Sequence, residues 1–335
     1  METFRKTVKT CGKLYVGGEY SILKPYQSAI LKNIDIFMTA EIYFNGKNEY
    51  ELTSDMYNYS VSMEYDSNYS LIQDTISLMN NYILLQGKKI LPFRLEISGK
   101  MEKEGKKYGI GSSGSVTALV IKAMCELYEM RISKDMLFKL SSYVLLRRGD
   151  NGSMGDLACI AYEKLILYTS FDREEIRKII FSKSMEEALK EDWKYIIEEI
   201  SSNKRYDFLV GWTGEPSISS DMIDRVKNRM DEEYFERTQG HVLKLKKAIE
   251  SGNEPEIKEN IIGMGKLLLK LDSSIYSEKL KKLVDSSEGL NSCAKSSGAG
   301  GGDCGIAISF NEKDSRIIIE RWKELGIELL YSEKL

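Results

Sequence analysis

Hydrophobic and polar residues alternate in the first third of the chain, as they do in β-strands. Residues 57–65 alternate tyrosine, valine and methionine with asparagine, serine and glutamate. Residues 93–97 alternate phenylalanine, leucine and isoleucine with charged residues. This period of two predicts half-buried strands. A short apolar run at residues 14–16 predicts another strand, which ends at Gly17 and Gly18.

Helical spacing of apolar residues begins at residue 70. A helix over residues 70–86 is predicted from one apolar face, a capping box formed by Ser70 and Gln73, and a stop at Gly87. Further helical patterns follow at residues 116–127, 133–148 and 156–164.

Charged amphipathic helices dominate after about residue 170. They are predicted at residues 184–200, 221–250 and 255–270, around one strand at residues 206–212. A strand–helix–strand pattern follows over residues 306–331. We therefore predict an α+β protein with two domains, a sheet-rich domain over residues 1–180 and a helix-rich domain over residues 181–335.

Composition and charge exclude several classes of protein. Lys and Arg number 48 against 51 Asp and Glu, a net charge of −3, so the basic surplus of a nucleic-acid-binding protein is missing. The single histidine, His241, argues against Ser-His-Asp or Cys-His catalysis and against multi-histidine metal sites. Five scattered cysteines predict free thiols, and no apolar stretch approaches the roughly 20 residues of a membrane span. We expect a soluble cytoplasmic protein that binds neither nucleic acid nor membrane.

A glycine- and serine-rich segment, Gly109-Ile-Gly-Ser-Ser-Gly-Ser115, leads directly into a predicted helix. Its glycines let the backbone approach an anion, and the helix N-terminus offers unpaired N–H groups and a partial positive charge. The segment is not a Walker loop, because no Lys-Ser/Thr pair follows the last glycine, and its spacing is not a dinucleotide fingerprint. A serine-rich cap with a tight turn would explain it locally, but three hydroxyls favour a Mg-nucleotide site.

Three further segments contain candidate chemistry. Asn151-Gly-Ser-Met-Gly-Asp156 places a carboxylate at a helix start, where it could also be a simple dipole partner. Arg147 and Arg148 precede it and form either an anion site or a solvated pair. Ser296-Ser-Gly-Ala-Gly-Gly-Gly-Asp303 runs into a predicted strand, which disfavours a flexible linker. Gly12-Lys-Leu-Tyr-Val-Gly-Gly-Glu-Tyr20 places a lysine at the start of the first strand.

Together these segments resemble the signature of the GHMP small-molecule kinases, the superfamily of galactose, homoserine, mevalonate and phosphomevalonate kinases. Lys13 and its neighbours resemble the N-terminal motif. Residues 109–115 resemble the Gly-Leu-Gly-Ser-Ser phosphate loop, with isoleucine replacing leucine, and residues 297–303 resemble the C-terminal glycine motif. The resemblance implies a two-domain α+β fold, with an N-terminal domain like ribosomal protein S5 domain 2 and a ferredoxin-like C-terminal domain.

Within the superfamily, the chain most resembles the bacterial phosphomevalonate kinases. Mevalonate kinases usually have histidine where Tyr20 stands, and tend to have Pro-Ser-Gly-hydrophobic-Asp where residues 152–156 read Gly-Ser-Met-Gly-Asp. The resemblance implies transfer of the γ-phosphoryl group of ATP to (R)-5-phosphomevalonate, with Mg²⁺. The products would be (R)-5-diphosphomevalonate and ADP, in the mevalonate route to isopentenyl diphosphate.

The same resemblance implies roles for individual residues. Lys13 and Asp156 fall at the catalytic pair, and Ser113 falls at the hydroxyl near Mg²⁺. The implied nucleotide-binding residues are Gly109, Gly111, Ser112, Ser113, Gly114 and Ser115. The implied acceptor-binding residues are Lys107, Ser153, Ser219, Ser297, Gly298 and Ala299, to which we add Arg147 and Arg148 if they face the cleft. Ser217 and Ser220 are close enough to Ser219 for this register to slip.

The chemistry of the acceptor determines which other charged groups the site needs. Phosphoryl transfer depends on alignment and charge compensation, and a phosphomonoester with a second pKa of about 6 is already a dianionic nucleophile at neutral pH. We therefore expect Lys13, Lys107 and Mg²⁺ to offset the repulsion between two anionic reactants. We also expect Lys13 to lower the pKa of Asp156, so that Asp156 holds Lys13 or a metal-bound water in place rather than accepting a proton.

Two alternatives stay open. One is a sibling enzyme that phosphorylates mevalonate or another small alcohol, or that releases CO₂. The other is a regulator that binds nucleotide without catalysis, which the presence of Lys13, Asp156 and Ser113 disfavours. The sequence does not determine the oligomeric state.

Overall fold

A long antiparallel strand pair forms the centre of the first sheet. The computed structural model describes residues 5–217 and 219–335, and for residues 219 and 220 only the backbone. The pair consists of β1 (Lys6–Gly17) and β2 (Ser28–Phe44). Their register shifts where Cys11 faces Phe37 and Gly12 faces Ile34, so two residues of β2 are skipped. This bulge lies directly before Lys13 in β1.

Shorter strands extend the sheet along the other edge of β2. In chain order the strands are β3 (Glu51–Ser54), β4 (Ser60–Val61), β5 (Phe93–Ser98), the separate hairpin β6 (Glu102–Lys103) and β7 (Lys106–Lys107), β8 (Ile166–Thr169) and β9 (Ile196–Glu199). The strand order is β4-β3-β5-β2-β8-β9. Neighbouring strands are antiparallel except β3 and β5, which are parallel.

Helices cover this sheet, and one of them lies at its core. The helices are α1 (Ser70–Leu85), α2 (Ser112–Leu127), α3 (Lys134–Arg147), α4 (Gly155–Tyr162), α5 (Arg173–Ser182) and α6 (Met185–Lys190). α2 packs on β1 and β2 and against α1, α3 and α4. Its apolar residues, such as Leu119 and Val120, are fully buried. The N-terminus of α2 is thereby held beside β1.

The second sheet has a ferredoxin-like arrangement. Its strands are β10 (Asp207–Trp212), β11 (Ser292–Ser296), β12 (Cys304–Ser309) and β13 (Glu328–Lys334), in the antiparallel order β11-β12-β10-β13. The helices are α7 (Ser219–Val226), α8 (Glu232–Ser251), α9 (Glu254–Leu271), α10 (Glu278–Asp285) and α11 (Glu312–Glu324). β12, α11 and β13 confirm the predicted strand–helix–strand pattern, with β10 between the two strands. α8 contacts both α9 and β2, and so joins the two halves of the molecule.

The alternating segment at residues 57–65 is not the predicted strand. Only Ser60–Val61 pairs as β4. The rings of Tyr57, Tyr59 and Tyr69 instead pack together, with centroids 5.2–6.0 Å apart. The period of two therefore reflects an aromatic cluster at the entry to α1 rather than an extended ladder.

The predicted capping box at the start of α1 is also wrong. Tyr69 is the N-cap residue and makes no side-chain cap bond. The buried Gln73 side chain instead donates to the carbonyls of Ser62 and Glu64, at 3.0 and 2.6 Å. Gln73 therefore anchors the preceding loop, whose carbonyls would otherwise lack a partner.

The predicted helix over residues 184–200 is two elements, α6 and β9. β9 pairs with β8, so the first sheet extends to Glu199, and the division between the two sheets falls between Glu199 and Asp207. The predicted division after residue 180 lies inside α5 (Arg173–Ser182). β2 was not predicted, although its even-numbered residues from Ile34 to Ile42 are all apolar. Within the described ranges, no helix is both long and apolar enough to cross a membrane.

Candidate active site

Lys13 and the start of α2 meet at the centre of a cleft. The N–H of Lys13 donates to the carbonyl of Ile110 at 2.9 Å, which joins β1 to the glycine-rich loop. Gly111 has a φ of 87°, and a Cβ added there would lie 2.8 Å from Cε of Lys13. Only glycine fits under the lysine side chain at this point. α2 then begins at Ser112 without a side-chain cap, so its first turn can hold an anion.

Asp156 lies in the first turn of α4, opposite the first turn of α2. The two helices approach so closely that a Cβ on Gly114 would lie 2.8 Å from Oδ2 of Asp156. Burial raises the pKa of Asp156 above its ordinary value, while the charge of Lys13 lowers it and that of Asp150 raises it. The predicted lowering of this pKa is wrong, because desolvation outweighs the charge of Lys13.

A tyrosine pair fixes Ser153 on the same wall of the cleft. The hydroxyls of Tyr15 and Ser153 are 2.9 Å apart, and the Tyr168 hydroxyl donates to the Ser153 carbonyl at 2.8 Å. The Ser153 hydroxyl also accepts the N–H of Gly155 at 3.1 Å. Nζ of Lys13 lies 5.1 Å from the centre of the Tyr15 ring. Tyr15 therefore contacts both the lysine and the serine. Because Ser153 is 138 positions away in the sequence, this role of Tyr15 is visible only in the folded structure.

The C-terminal glycine segment, residues 296–303, forms the opposite wall. The Ser297 hydroxyl donates to the Tyr15 carbonyl at 2.8 Å, and the Tyr20 hydroxyl donates to the carbonyl of Ala299. Ser297, Gly298 and Ala299 all face the cleft. Residues at opposite ends of the sequence thus build one surface.

Asp303 is a further charged residue of the cleft, for which no role was predicted. Its carboxylate lies against Gly109, where a Cβ would collide with it, and it accepts the N–H of Ser217 at 3.2 Å. Burial raises the pKa of Asp303 from 3.8 to about 6, against the opposing effects of that N–H and of the Lys13 and Lys107 charges. The only sequence signal was an acidic residue at the end of a glycine run.

The cleft has a volume of about 190 Å³ and is lined by both halves of the molecule. Its lining includes Lys13, Tyr15, Glu19, Gly109, Ser153, Asp156, Ser297, Gly298, Ala299 and Asp303. A second cleft of about 180 Å³ lies on the other side of the loop. Its lining is mainly apolar and includes Met38, Tyr57, Leu71, Met101 and Val116, together with Lys107, Ser112 and Ser113. The glycine-rich loop therefore borders the charged cleft at Gly109 and the apolar cleft at Ser112 and Ser113.

Several predicted site residues lie elsewhere. Lys107, in β7, borders the apolar cleft rather than the charged one. The Ser115 hydroxyl is fully buried and donates to the Cys11 carbonyl at 2.9 Å, so it faces β1 and not the loop. The side chain of Ser219 lies outside the described residues.

The two predicted arginines are not in the lining of the charged cleft. The Arg148 guanidinium is paired with Asp74 and contacts the Ser70 hydroxyl at 3.2 Å, beside α1. Arg147 borders a separate surface hollow with Phe181. Arg148 therefore contacts α1, and Arg147 lies beside residues of α1 and α5.

Two family models match the chain, "GHMP kinases N terminal domain" over residues 70–164 and "GHMP kinases C terminal" over residues 245–328. The structure of Streptococcus pneumoniae phosphomevalonate kinase in complex with phosphomevalonate and AMPPNP has a TM-score of 0.97 and 46% identity, covering 98% of this chain and 100% of that one. Phosphomevalonate kinase from Streptomyces sp. (strain CL190) is 27% identical, over 94% of this chain and 93% of its own. Mevalonate kinase from Methanocaldococcus jannaschii is 25% identical, over 95% and 96%.

The three relatives each match 94–98% of this chain. They confirm the resemblance inferred from the three glycine-rich motifs and the predicted two-domain α+β architecture. The chain belongs to the GHMP kinase family.

Proposed function

We propose that the protein is a phosphomevalonate kinase, which transfers the γ-phosphoryl group of ATP to (R)-5-phosphomevalonate and forms (R)-5-diphosphomevalonate and ADP. The observation that carries this proposal is the full-length similarity, at 46% identity, to a phosphomevalonate kinase whose complex contains phosphomevalonate and AMPPNP. The reaction is a step of the mevalonate route to isopentenyl diphosphate. Both reactants are small soluble anions, which supports a cytoplasmic location.

Each of the two clefts would bind one of the two reactants. The apolar cleft, lined by residues such as Leu71 and Val116, suits the base of a nucleotide. Its phosphates would then lie on the first turn of α2, at Ser112 and Ser113, and point toward Lys13. The charged cleft would hold the acceptor, with Ser153 and the Ser297–Ala299 stretch as its polar contacts.

The chemistry needs charge compensation rather than a base. A phosphate oxygen of the acceptor attacks the γ-phosphorus, the bond to the β–γ bridging oxygen breaks, and its electron pair leaves with ADP. The attacking oxygen of a dianionic phosphomonoester carries no proton, so none has to be removed. Among the described residues that line the charged cleft, Lys13 is the only lysine or arginine, and Asp156 would fix its position through electrostatic attraction. We assign Asp156 a positioning role although its pKa is raised.

The residues present fit a magnesium ion carried by the nucleotide. Hydroxyl and carboxylate oxygens are the ligands that Mg²⁺ prefers, and Ser113, Asp156 and Asp303 supply them around the loop. Mg²⁺ at such sites takes one or two protein ligands and completes its shell with phosphates and water. We propose Ser113 as its protein ligand. When bound, the ion would neutralise part of the triphosphate charge.

The assignment is tested by measuring ADP release with phosphomevalonate and with mevalonate as acceptors. We expect kcat/KM for phosphomevalonate to exceed that for mevalonate about 100-fold, because the acceptor phosphate is itself the nucleophile. Phosphorus NMR should show the β-phosphate of a new diphosphate ester. Faster turnover of mevalonate, or release of CO₂, would identify a sibling enzyme, and nucleotide binding without turnover of either acceptor would identify a regulator.

A further inference from the structure

A fully buried ion pair links the two walls of the charged cleft. Nζ of Lys295, in β11, donates to a carboxylate oxygen of Glu19, which follows β1. The two side chains are 0% and 3% exposed, and the residues are 276 positions apart in the sequence. Lys295 also donates to the Ser296 carbonyl at 2.6 Å. The pair therefore joins the end of the first strand to the start of the glycine segment.

The surroundings of this pair make it costly to bury. Burial lowers the pKa of Lys295, whereas the charge and hydrogen bond of Glu19 raise it. Tyr234 donates to the Glu19 carbonyl at 2.9 Å, and the Tyr276 hydroxyl accepts the N–H of Ser296 at 3.4 Å. A buried ion pair seldom stabilises a fold more than apolar residues of the same size. Its presence here points to a need for fixed geometry.

The pair lies next to the residues that would contact the acceptor. Lys295 directly precedes residues 296–303, and Glu19 lines the charged cleft itself. The other links across this gap are hydrogen bonds to single carbonyls, from Ser297 to Tyr15 and from Tyr20 to Ala299. The ion pair is a charge-assisted contact and hence the stronger kind of link.

We infer that Glu19 and Lys295 are a positioning pair, which sets the distance between the glycine segment that binds the acceptor and the strand that carries Lys13. The inference rests on the proposed function for the identity of the acceptor. Neither residue takes part in bond making. Their effect is on alignment, to which phosphoryl transfer is sensitive, since a misplacement of about 1 Å can lower a rate on the order of 100-fold.

A second ion pair provides a matched control. Lys32 in β2 and Glu333 in β13 also join the first sheet to the second, at 2.6 Å, with side chains 10% and 25% exposed. This pair lies in a different hollow, together with Lys9 and Glu163, and does not line the charged cleft. It therefore shares the chemistry and the inter-sheet position of the first pair but not its neighbourhood.

The experiment compares Lys295→Met and the double variant Glu19→Gln/Lys295→Met with Lys32→Met and Lys32→Met/Glu333→Gln. The measurements are KM and kcat for phosphomevalonate, the Kd of AMPPNP, the thermal midpoint, and hydrogen exchange of residues 296–303. Lys295→Met leaves a buried carboxylate unpaired and should lower the midpoint strongly, but the double variant removes both charges and should regain most of that loss.

In the double variant we expect acceptor KM to rise and kcat to fall, each about tenfold, and exchange of residues 296–303 to quicken about tenfold. AMPPNP binding should stay within about twofold, and the control pair should leave all of these quantities within about twofold. Wild-type acceptor kinetics and exchange in the double variant would overturn the inference. An equal loss of AMPPNP affinity would do the same, because the pair would then support the whole cleft. If the wild-type protein does not phosphorylate phosphomevalonate, the proposed function fails, while the exchange measurement still decides the positioning role.

Discussion

The two glycine-rich segments that meet at the cleft are held in place by different means. In the loop and the first turn of α2, side chains pack directly on glycine, with Lys13 over Gly111 and Asp156 against Gly114. The C-terminal segment packs on backbone, because a Cβ on Gly302 would lie 2.2 Å from the Glu215 carbonyl oxygen, and it is also held by the side chains of Tyr20 and Glu19. Added atoms should therefore harm both segments, whereas loss of a side-chain tether should harm the second.

The largest decrease in kcat should follow removal of the Lys13 charge. Lys13→Met removes the positive charge between the two reactants, and we expect kcat to fall by about 10²–10³ in single-turnover measurements. Asp156→Asn should cost less, because it disturbs only the position of that charge. Near-normal transfer by Lys13→Met together with abolished transfer by Asp156→Asn would instead make Asp156 the essential group.

Gly114→Ala tests the claim that the loop excludes added atoms. The new methyl group would lie 2.8 Å from Asp156 and 3.2 Å from Ile160, so we expect destabilisation of about 1–3 kcal/mol and roughly tenfold lower kcat. Gly240→Ala in α8 is the matched control. It meets nothing within 4 Å and should stabilise the protein by about 0.5–1 kcal/mol. Urea denaturation checks both, and equal effects at the two positions would contradict the comparison.

Asp303→Asn removes a charge but keeps the shape of the side chain, at the point where the C-terminal glycine segment contacts Gly109. The folded-state pKa of Asp303 is about 6, above its ordinary 3.8. At a pH between these two values, the Asp303 carboxyl is protonated in the folded protein but ionised in the unfolded chain. Ionisation above pH 6 therefore destabilises the wild-type fold. We expect the asparagine variant to be more stable at pH 7.5, on the order of 1 kcal/mol after solvent screening. This advantage should vanish as pH falls from 6 to 4. A stability difference that is independent of pH would contradict the assignment.

The smallest effect should come from Arg148→Ala. This side chain pairs with Asp74 on a partly exposed surface, away from the charged cleft. We expect a loss of stability of about 0–1 kcal/mol and acceptor KM within about twofold of wild type. A tenfold increase in acceptor KM would return Arg148 to the acceptor site that its position in the sequence suggested.

Sequence patterns predicted candidate site residues wherever a local motif determines their geometry. Lys13, the 109–115 loop and Asp156 could be named because glycine spacing and helix starts are local properties. The bond between Tyr15 and Ser153 spans 138 positions, and the Glu19–Lys295 pair spans 276, so no local pattern contains them.

The errors have an equally physical origin. The tyrosines of residues 57–65 alternate as a strand would, yet ring packing with Tyr69 competes with strand pairing and prevails. The pKa of Asp156 was predicted from its neighbour Lys13 alone. The larger effect is desolvation, which only the packed structure determines.

The contact between residues 15–20 and residues 296–303 has a consequence for the order in which the site is assembled during synthesis of the chain. A ribosome completes residues 109–115, which we propose to bind nucleotide, early in synthesis. The acceptor wall arrives about 180 residues later, after the loop at 109–115 has already left the exit tunnel. A nascent chain could thus hold nucleotide long before it could consume any.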